Sequence, residues 1–168
     1  MPKTFCFCSS PAGGLTLVEE DGVLTEIVFG RAILGGGVRG DSPLLRRTRE
    51  QLGQYFTGQR KTFELPYRLT GTPFQMRVWE ELCKIPYGET RSYADIAIAV
   101  ERPGAGRAIG MAAHRNPVPL IVPCHRVVGA DGSLTGYGGG LGAKRLLLTL
   151  EQRYSHADEG CEACAGSV

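Results

Sequence analysis

Short runs of Leu, Val, Ile and Thr, bounded by glycines and acidic residues, make up the first part of the chain. In GGLTLVEEDGVLTEIVFG, residues 13–30, two β-rich arms flank Asp21-Gly22, the dipeptide that most strongly marks a tight hairpin. Gly35-Gly36-Gly37 and Arg39-Gly40 then break the pattern with a flexible connection. After Ser42-Pro43, a cap residue followed by proline, the apolar spacing becomes helical. Leu44, Leu45, Leu52, Tyr55 and Phe56 fall near one face, and Gly58 closes the helix. The first 65 residues or so therefore predict a small sheet with one helix packed on it.

A second unit begins near Thr72. Thr72 stands three positions before Gln75, the spacing of a capping box, and Phe74, Val78, Trp79 and Leu82 follow as a helical stripe. IPYGE ends that helix, and Ser92 with Asp95 opens a short one that runs to about Val100. ERPG turns the chain into a helix of small residues from Ala105 to Ala113. Two short helices across a glycine-containing turn form a helix-turn-helix pattern, whose second helix can enter a DNA groove. Ile121–Val122 then predicts a buried strand, and Asp131-Gly132 a turn. TGYGGGLG is too rich in glycine for regular structure, so backbone approaches something closely there. A last helix spans Lys144 to Arg153, with Leu146, Leu147 and Leu150 inward, before a small polar tail. The resulting division is an N-terminal α/β domain, 1–70, a second domain, 71–154, and a disordered tail, 155–168.

Composition changes this picture little. With 168 residues, 42% hydrophobic, 21% charged and a formal net charge of +2, the chain is an ordinary globular one and no polyanion binder by bulk charge. No stretch reaches the about 18 consecutive apolar residues of a membrane helix. MPKTFCFCSS lacks the apolar core of a signal peptide, so the expected compartment is the cytoplasm. Cys6, Cys8, Cys161 and Cys164 could join in one metal site, but CFC is not a metal-knuckle spacing, and free thiols and no metal are expected.

The chemistry concentrates in IVPCHRVVG, residues 121–129. A structural cysteine has no need of His125 and Arg126 beside Cys124. A nucleophilic one does, because cations and hydrogen bonds favour the thiolate. A thiol hydrolase or a redox protein would satisfy this motif as well as an alkyl acceptor would. From Glu101 to Arg126 there are four arginines (102, 107, 115 and 126) and one acid, which predicts a local basic face.

GTPFQMRVWEELCKIPYGETRSYADIA, GRAIG, RNPVPLIVPCHRVVGADGSLTGYGGGL and KRLLLTLE together resemble the O6-alkylguanine-DNA alkyltransferases, also called methylated-DNA–protein-cysteine methyltransferases. The likeness is dense over residues 71–153 and loose before them. It implies an RNase H-like N-terminal domain, then a mostly helical domain with a helix-turn-helix. It also implies a single-turnover DNA repair activity that moves an alkyl group from O6-alkylguanine, or O4-alkylthymine, to Cys124 after base flipping. By the same resemblance His125 is the base through a bridging water, Glu151 orients it, and Asn116 braces the turn before the cysteine. Arg107 is the finger that fills the gap left by the rotated base, and Tyr93 crowds the phosphate and donates to the purine. Tyr137 and Gly138 wall the guanine pocket, with the Gly138 amide on O6 and the carbonyls of Cys124 and Val127 on the exocyclic amine. The implied partner is double-stranded DNA, acted on by a monomer with no cofactor. A non-reacting relative of such proteins would lack the acceptor cysteine. Ile98, Val100, His114 and Arg115 depart from residues common in the family.

Overall fold

The computed structural model describes residues 3–32 and 35–166, with side chains described through 155. Strands β1 (Thr4–Cys8), β2 (Leu15–Glu20), β3 (Val23–Phe29) and β4 (Val38–Arg39) lie in the order β3-β2-β1-β4. Both central pairings are antiparallel, and β4 joins β1 in parallel. Asp21 and Gly22 turn the β2–β3 hairpin with positive φ at both residues (54° and 79°), the geometry its two-residue loop demands. Helix α1 (Pro43–Phe56) starts where Ser42 accepts from the Leu45 amide, and it buries Leu44, Leu45, Leu52, Tyr55 and Phe56. The expected hairpin and helix are thus both present.

Helix α2 (Pro73–Cys83) carries the predicted Thr72–Gln75 capping box, and α3 (Tyr93–Ala99) the Ser92–Asp95 one. Helix α4 (Gly106–His114) follows the turn and packs on both. Val100, one of the departures from the family pattern, is a core residue at the end of α3, whereas Ile98 is 65% exposed.

The expected strand before the cysteine is absent. Ile121–Val122 is not a strand: Val122 makes a single bridge to Pro119, and the extended segment is β6 (Val127–Val128), paired in parallel with β5 (Arg91–Ser92). Pro117, Pro119 and Pro123 remove the amide donors that a ladder through this stretch would need.

Helix α5 (Leu141–Gly166) starts three residues earlier than expected and continues past 154, where the sequence suggested a disordered tail. Ala157, Glu159, Glu162 and Ala163 are helix formers, which accounts for the continuation. Of its three inward leucines only Leu147 is fully buried; Leu146 and Leu150 are partly so. The side chains of Cys161 and Cys164 lie outside the described residues. Among the described residues no cluster could hold a metal ion, and no helix is long and apolar enough to cross a membrane.

One continuous core joins both halves, from Leu15 and Leu17 of the sheet to Trp79, Ile109 and Leu147. The outer edge of β3 is the seam: Leu24 exchanges backbone bonds with Pro66 and Arg68, and the Ile27 amide donates to Pro117 O at 2.8 Å. Trp79 is 1% exposed, and its Nε1 donates to Ala112 O at 2.8 Å, fastening α2 to α4. Trp79→Phe removes that bond, leaving Ala112 O with only the Arg115 amide at 3.2 Å, and leaves part of the site empty. It is expected to lower stability by about 2–4 kcal/mol, read from urea midpoints by circular dichroism. An unchanged midpoint would show that the bond does not hold the two helices together.

Candidate active site

The prolines that prevent a strand leave the cysteine on a braced turn. Asn116 Nδ2 donates to Val122 O at 2.8 Å, and its Oδ1 accepts from the Val118 amide at 3.0 Å. Between those contacts Leu120 is held buried at a φ of 77°, a conformation that costs energy for any residue but glycine. Cys124, His125 and Arg126 then form one 3₁₀ turn, closed by the Val127 amide on Cys124 O.

Cys124 is buried, and burial pushes its thiol up to about 11, against the pull of the Asn116 hydrogen bond and the Lys144 charge. At rest the sulfur therefore carries its proton. Burial thus outweighs the hydrogen bond and the nearby cation that favour the thiolate. The cation nearest in sequence, Arg126, is turned away: it is 7% exposed and bonds Glu151 through Nε (2.8 Å) and Nη2 (3.0 Å) and Ile85 O through Nη1 (2.7 Å). Arg126 consequently drops out of the predicted basic face, of which Arg102, Arg107 and Arg115 are exposed.

Glu151, fully buried on α5, is the hub behind the cysteine. Its Oε2 accepts from His125 Nε2 at 2.6 Å and from the Tyr55 hydroxyl at 2.6 Å, and its Oε1 accepts from the Gly88 amide at 3.2 Å. Burial alone would raise this carboxyl, but the bonds from His125 and Arg126 outweigh it and hold it at about 2. For His125 burial wins: desolvation lowers its pKa despite the carboxylate beside it, and the Arg126 and Lys144 charges add to the lowering. The imidazole is neutral, with its Nε2–H committed to Glu151. Its buried Nδ1 has no hydrogen-bond partner among the described residues.

Two adjoining cavities receive the remaining residues. The first, about 380 Å³, is lined by Cys124, Asn116, Tyr137 and Gly138 together with Ile27 and Phe29 of β3. A Cβ built on Gly138 meets nothing within 4 Å, whereas one on Gly139 would lie 2.7 Å from the Phe29 ring. Phe29 also packs edge-on against Tyr137, with ring centroids 5.4 Å apart. The second cavity, about 550 Å³, lies on α4 and is lined by Tyr93, Arg107, Met111 and Arg115, among others. Tyr93 packs against α4 at Gly106 and Gly110, where a Cβ on either would make only ordinary contact with it, at 3.6–3.7 Å. His114 lines both cavities and joins them. The Tyr93 hydroxyl donates to Thr135 O at 3.1 Å and accepts from Lys144 Nζ at 3.4 Å. His125 and Val127 line neither cavity; both are fully buried behind the cysteine.

Sequence reasoning missed Tyr55, Phe29, Lys144 and the structural role of Arg126. For Lys144 a signal existed: with Glu151 it shares the α5 stripe of Leu147, and charges on a buried stripe need partners. Tyr55 gave none beyond its helical spacing.

Residues 73–153 match the 6-O-methylguanine DNA methyltransferase DNA-binding domain, and residues 5–69 its ribonuclease-like domain. The methylated-DNA–protein-cysteine methyltransferase of Mycolicibacterium paratuberculosis is 48% identical over 151 residues, 88% of this chain and 92% of that protein. The constitutive one of Bacillus subtilis is 44% identical, over 85% of this chain and 92% of that protein. The crystal structure of Mycobacterium tuberculosis OGT in complex with DNA superposes with a TM-score of 0.84 at 45% identity, covering 90% of this chain and 94% of that one.

The hub makes folding sensitive to acid. His125 lies below its usual 6.5 in the fold, so its contribution is present above that pH and is lost as pH falls and the unfolded chain binds the proton. Glu151, at about 2 instead of 4.5, contributes above 4.5 and loses that contribution between 4.5 and 2, about 3 kcal/mol in all. Urea midpoints should therefore fall from pH 7 to pH 3. In Glu151→Gln the part of the fall below 4.5 should shrink; an unaltered curve would remove Glu151 from the account.

Proposed function

The chain belongs to the methylated-DNA–protein-cysteine methyltransferases, which repair DNA by moving an alkyl group onto a cysteine of their own, and from that premise we propose how its residues divide the work. Residues 71–154 bind DNA and accept the alkyl group at Cys124, while 1–70 support them. The observation that carries this reading is the junction at His114, where the cavity holding Cys124 meets the cavity holding Tyr93 and Arg107. A base rotated out of a duplex lying on α4 passes from one to the other.

Arg107, exposed on the first turn of α4, enters the stack in place of the extruded base; its planar cation suits stacking and hydrogen bonding. Tyr93 crowds the phosphate and turns its hydroxyl to the purine. Tyr137 and Gly138 wall the pocket, with the Gly138 amide on O6 and the carbonyls of Cys124 and Val127 on the exocyclic amine. The open space at Gly138 suits adducts larger than methyl, and O4-alkylthymine fits the same chemistry.

The sulfur starts as a thiol, so its proton leaves as it attacks. Nδ1 of His125 takes that proton through a bridging water while Glu151 holds Nε2–H, the role division of a nucleophile, base and orienting carboxylate. The S–C bond forms, the C–O6 bond breaks with its electron pair going to guanine, and the proton ends on the base. The thioether has no proton to lose and nothing to displace it, so each molecule acts once. The acceptor must stay a reduced thiol, which suits the cytoplasm; Cys6, Cys8, Cys83 and Cys124 are all free.

Incubation with O6-benzylguanine should add one benzyl mass per molecule, on Cys124, after which the protein is inert. Cys124→Ala should bind alkylated duplex and gain no mass. An adduct on Cys83, or repeated turnover, would overturn the assignment and favour a thiol hydrolase. Arg107→Ala should slow repair of duplex about 10- to 100-fold while sparing reaction with the free base. Equal loss on both substrates would make Arg107 structural.

A further inference from the structure

Tyr55 belongs to α1, on the N-terminal side of the molecule, 96 positions from Glu151, yet its hydroxyl donates to Glu151 Oε2 at 2.6 Å. That oxygen also receives His125 Nε2 at 2.6 Å and Arg126 Nη2 at 3.0 Å. Three donors compete for one carboxylate oxygen, so the charge each can draw on depends on the other two. The Tyr55 ring is 0% exposed, and it packs edge-on against Phe56 (5.3 Å between centroids) and Tyr87 (6.3 Å). Its hydroxyl has little freedom to point elsewhere.

We infer that Tyr55 is a positioning residue for alkyl transfer: its hydroxyl fixes Glu151 Oε2 and shares that oxygen's charge, so the carboxylate orients His125 without stabilising the imidazolium, and Nδ1 stays unprotonated at rest. The inference rests on the proposed role of His125. The other charged or titratable groups facing this pair are Arg126, Tyr87, Lys144 and Tyr137. Arg126 is already bound to both carboxylate oxygens, and Lys144 bonds Tyr93 and Thr135 instead, so neither stands in for the lost hydroxyl. Burial raises the Tyr55 pKa, which keeps the hydroxyl a donor throughout the working range. The sheet domain thereby contributes one atom to the reaction centre rather than support alone.

Tyr55→Phe removes that atom and keeps the ring. Benzylation of Cys124 by free O6-benzylguanine, followed by intact mass, should slow about tenfold, and reaction with alkylated duplex should slow by the same factor. With one donor gone, Oε2 holds the imidazolium more strongly, so the acid limb of the pH–rate profile should move to higher pH. In a Glu151→Gln background the same substitution should change the rate little, because the path through the carboxylate is already cut. A wild-type rate, an unmoved acid limb, or a full tenfold effect persisting in the Glu151→Gln background would each overturn the inference. If Glu151→Gln alone reacts at the wild-type rate, it is instead the reading of the base and its orienting carboxylate that fails. Melting temperature, measured alongside, separates any loss of folded protein from loss of rate.

Discussion

A single buried carboxylate sets the terms for the rest of the molecule. Glu151 sits where α1, the turn at Gly88, the 3₁₀ turn and α5 converge, and each of the four supplies it with a contact or a covalent anchor. Burying an ion pair such as Arg126–Glu151 brings little net stability, since desolvation offsets most of the attraction. What it brings is geometry. A carboxylate with five hydrogen bonds has one position, and His125, which leans on it, has one orientation. The low exposure of all these groups makes each donor count, because removing one leaves buried charge less well satisfied.

The second constraint is the wall of the cavity at Cys124, and here too the N-terminal sheet takes part. Phe29 at the end of β3 fills the space where a side chain at 139 would stand and props the Tyr137 ring. The glycine run is therefore not uniform. Gly139 is required by a neighbour, Gly140 by a φ of 92°, and Gly138 by neither. Freedom at 138 means that its lack of a side chain serves the space in the cavity and not the fold. The domain matching a ribonuclease-like unit is thus joined to the site at two points, one apolar at Phe29 and one polar at Tyr55.

Local signals in the sequence carried the elements well, because caps and turns are decided by neighbours. Asp21-Gly22, Ser42, Thr72–Gln75 and Ser92–Asp95 all act within four residues, and all appear as read. Ile121–Val122 misled because apolar β-branched residues suit any buried backbone, and the deciding fact was the missing amides of the nearby prolines. The motif residues come together in space, Asn116 and Cys124 beside Tyr137 and Gly138, and Arg107 beside Tyr93. Arg126 was misread because charge in sequence says nothing of which way a side chain turns. Tyr55 was invisible for a different reason: its partner lies 96 residues away, and an inward tyrosine on an amphipathic helix reads as packing.

The protonation state of the site also bears on how a single-use protein keeps its nucleophile. A thiol that burial pushes up to about 11 is almost wholly protonated at neutral pH. A low-pKa cysteine would react faster with an alkyl carbon, and equally with any oxidant that reached it. Burial and a neutral imidazole keep the sulfur quiet until a substrate fills the cavity. The proton must then move during the attack, not before it. Around Cys124 the charges are accordingly spent on one another and not on the sulfur: Arg126 and the His125 Nε2–H both bond Glu151, and His125 Nδ1 has no hydrogen-bond partner among the described residues.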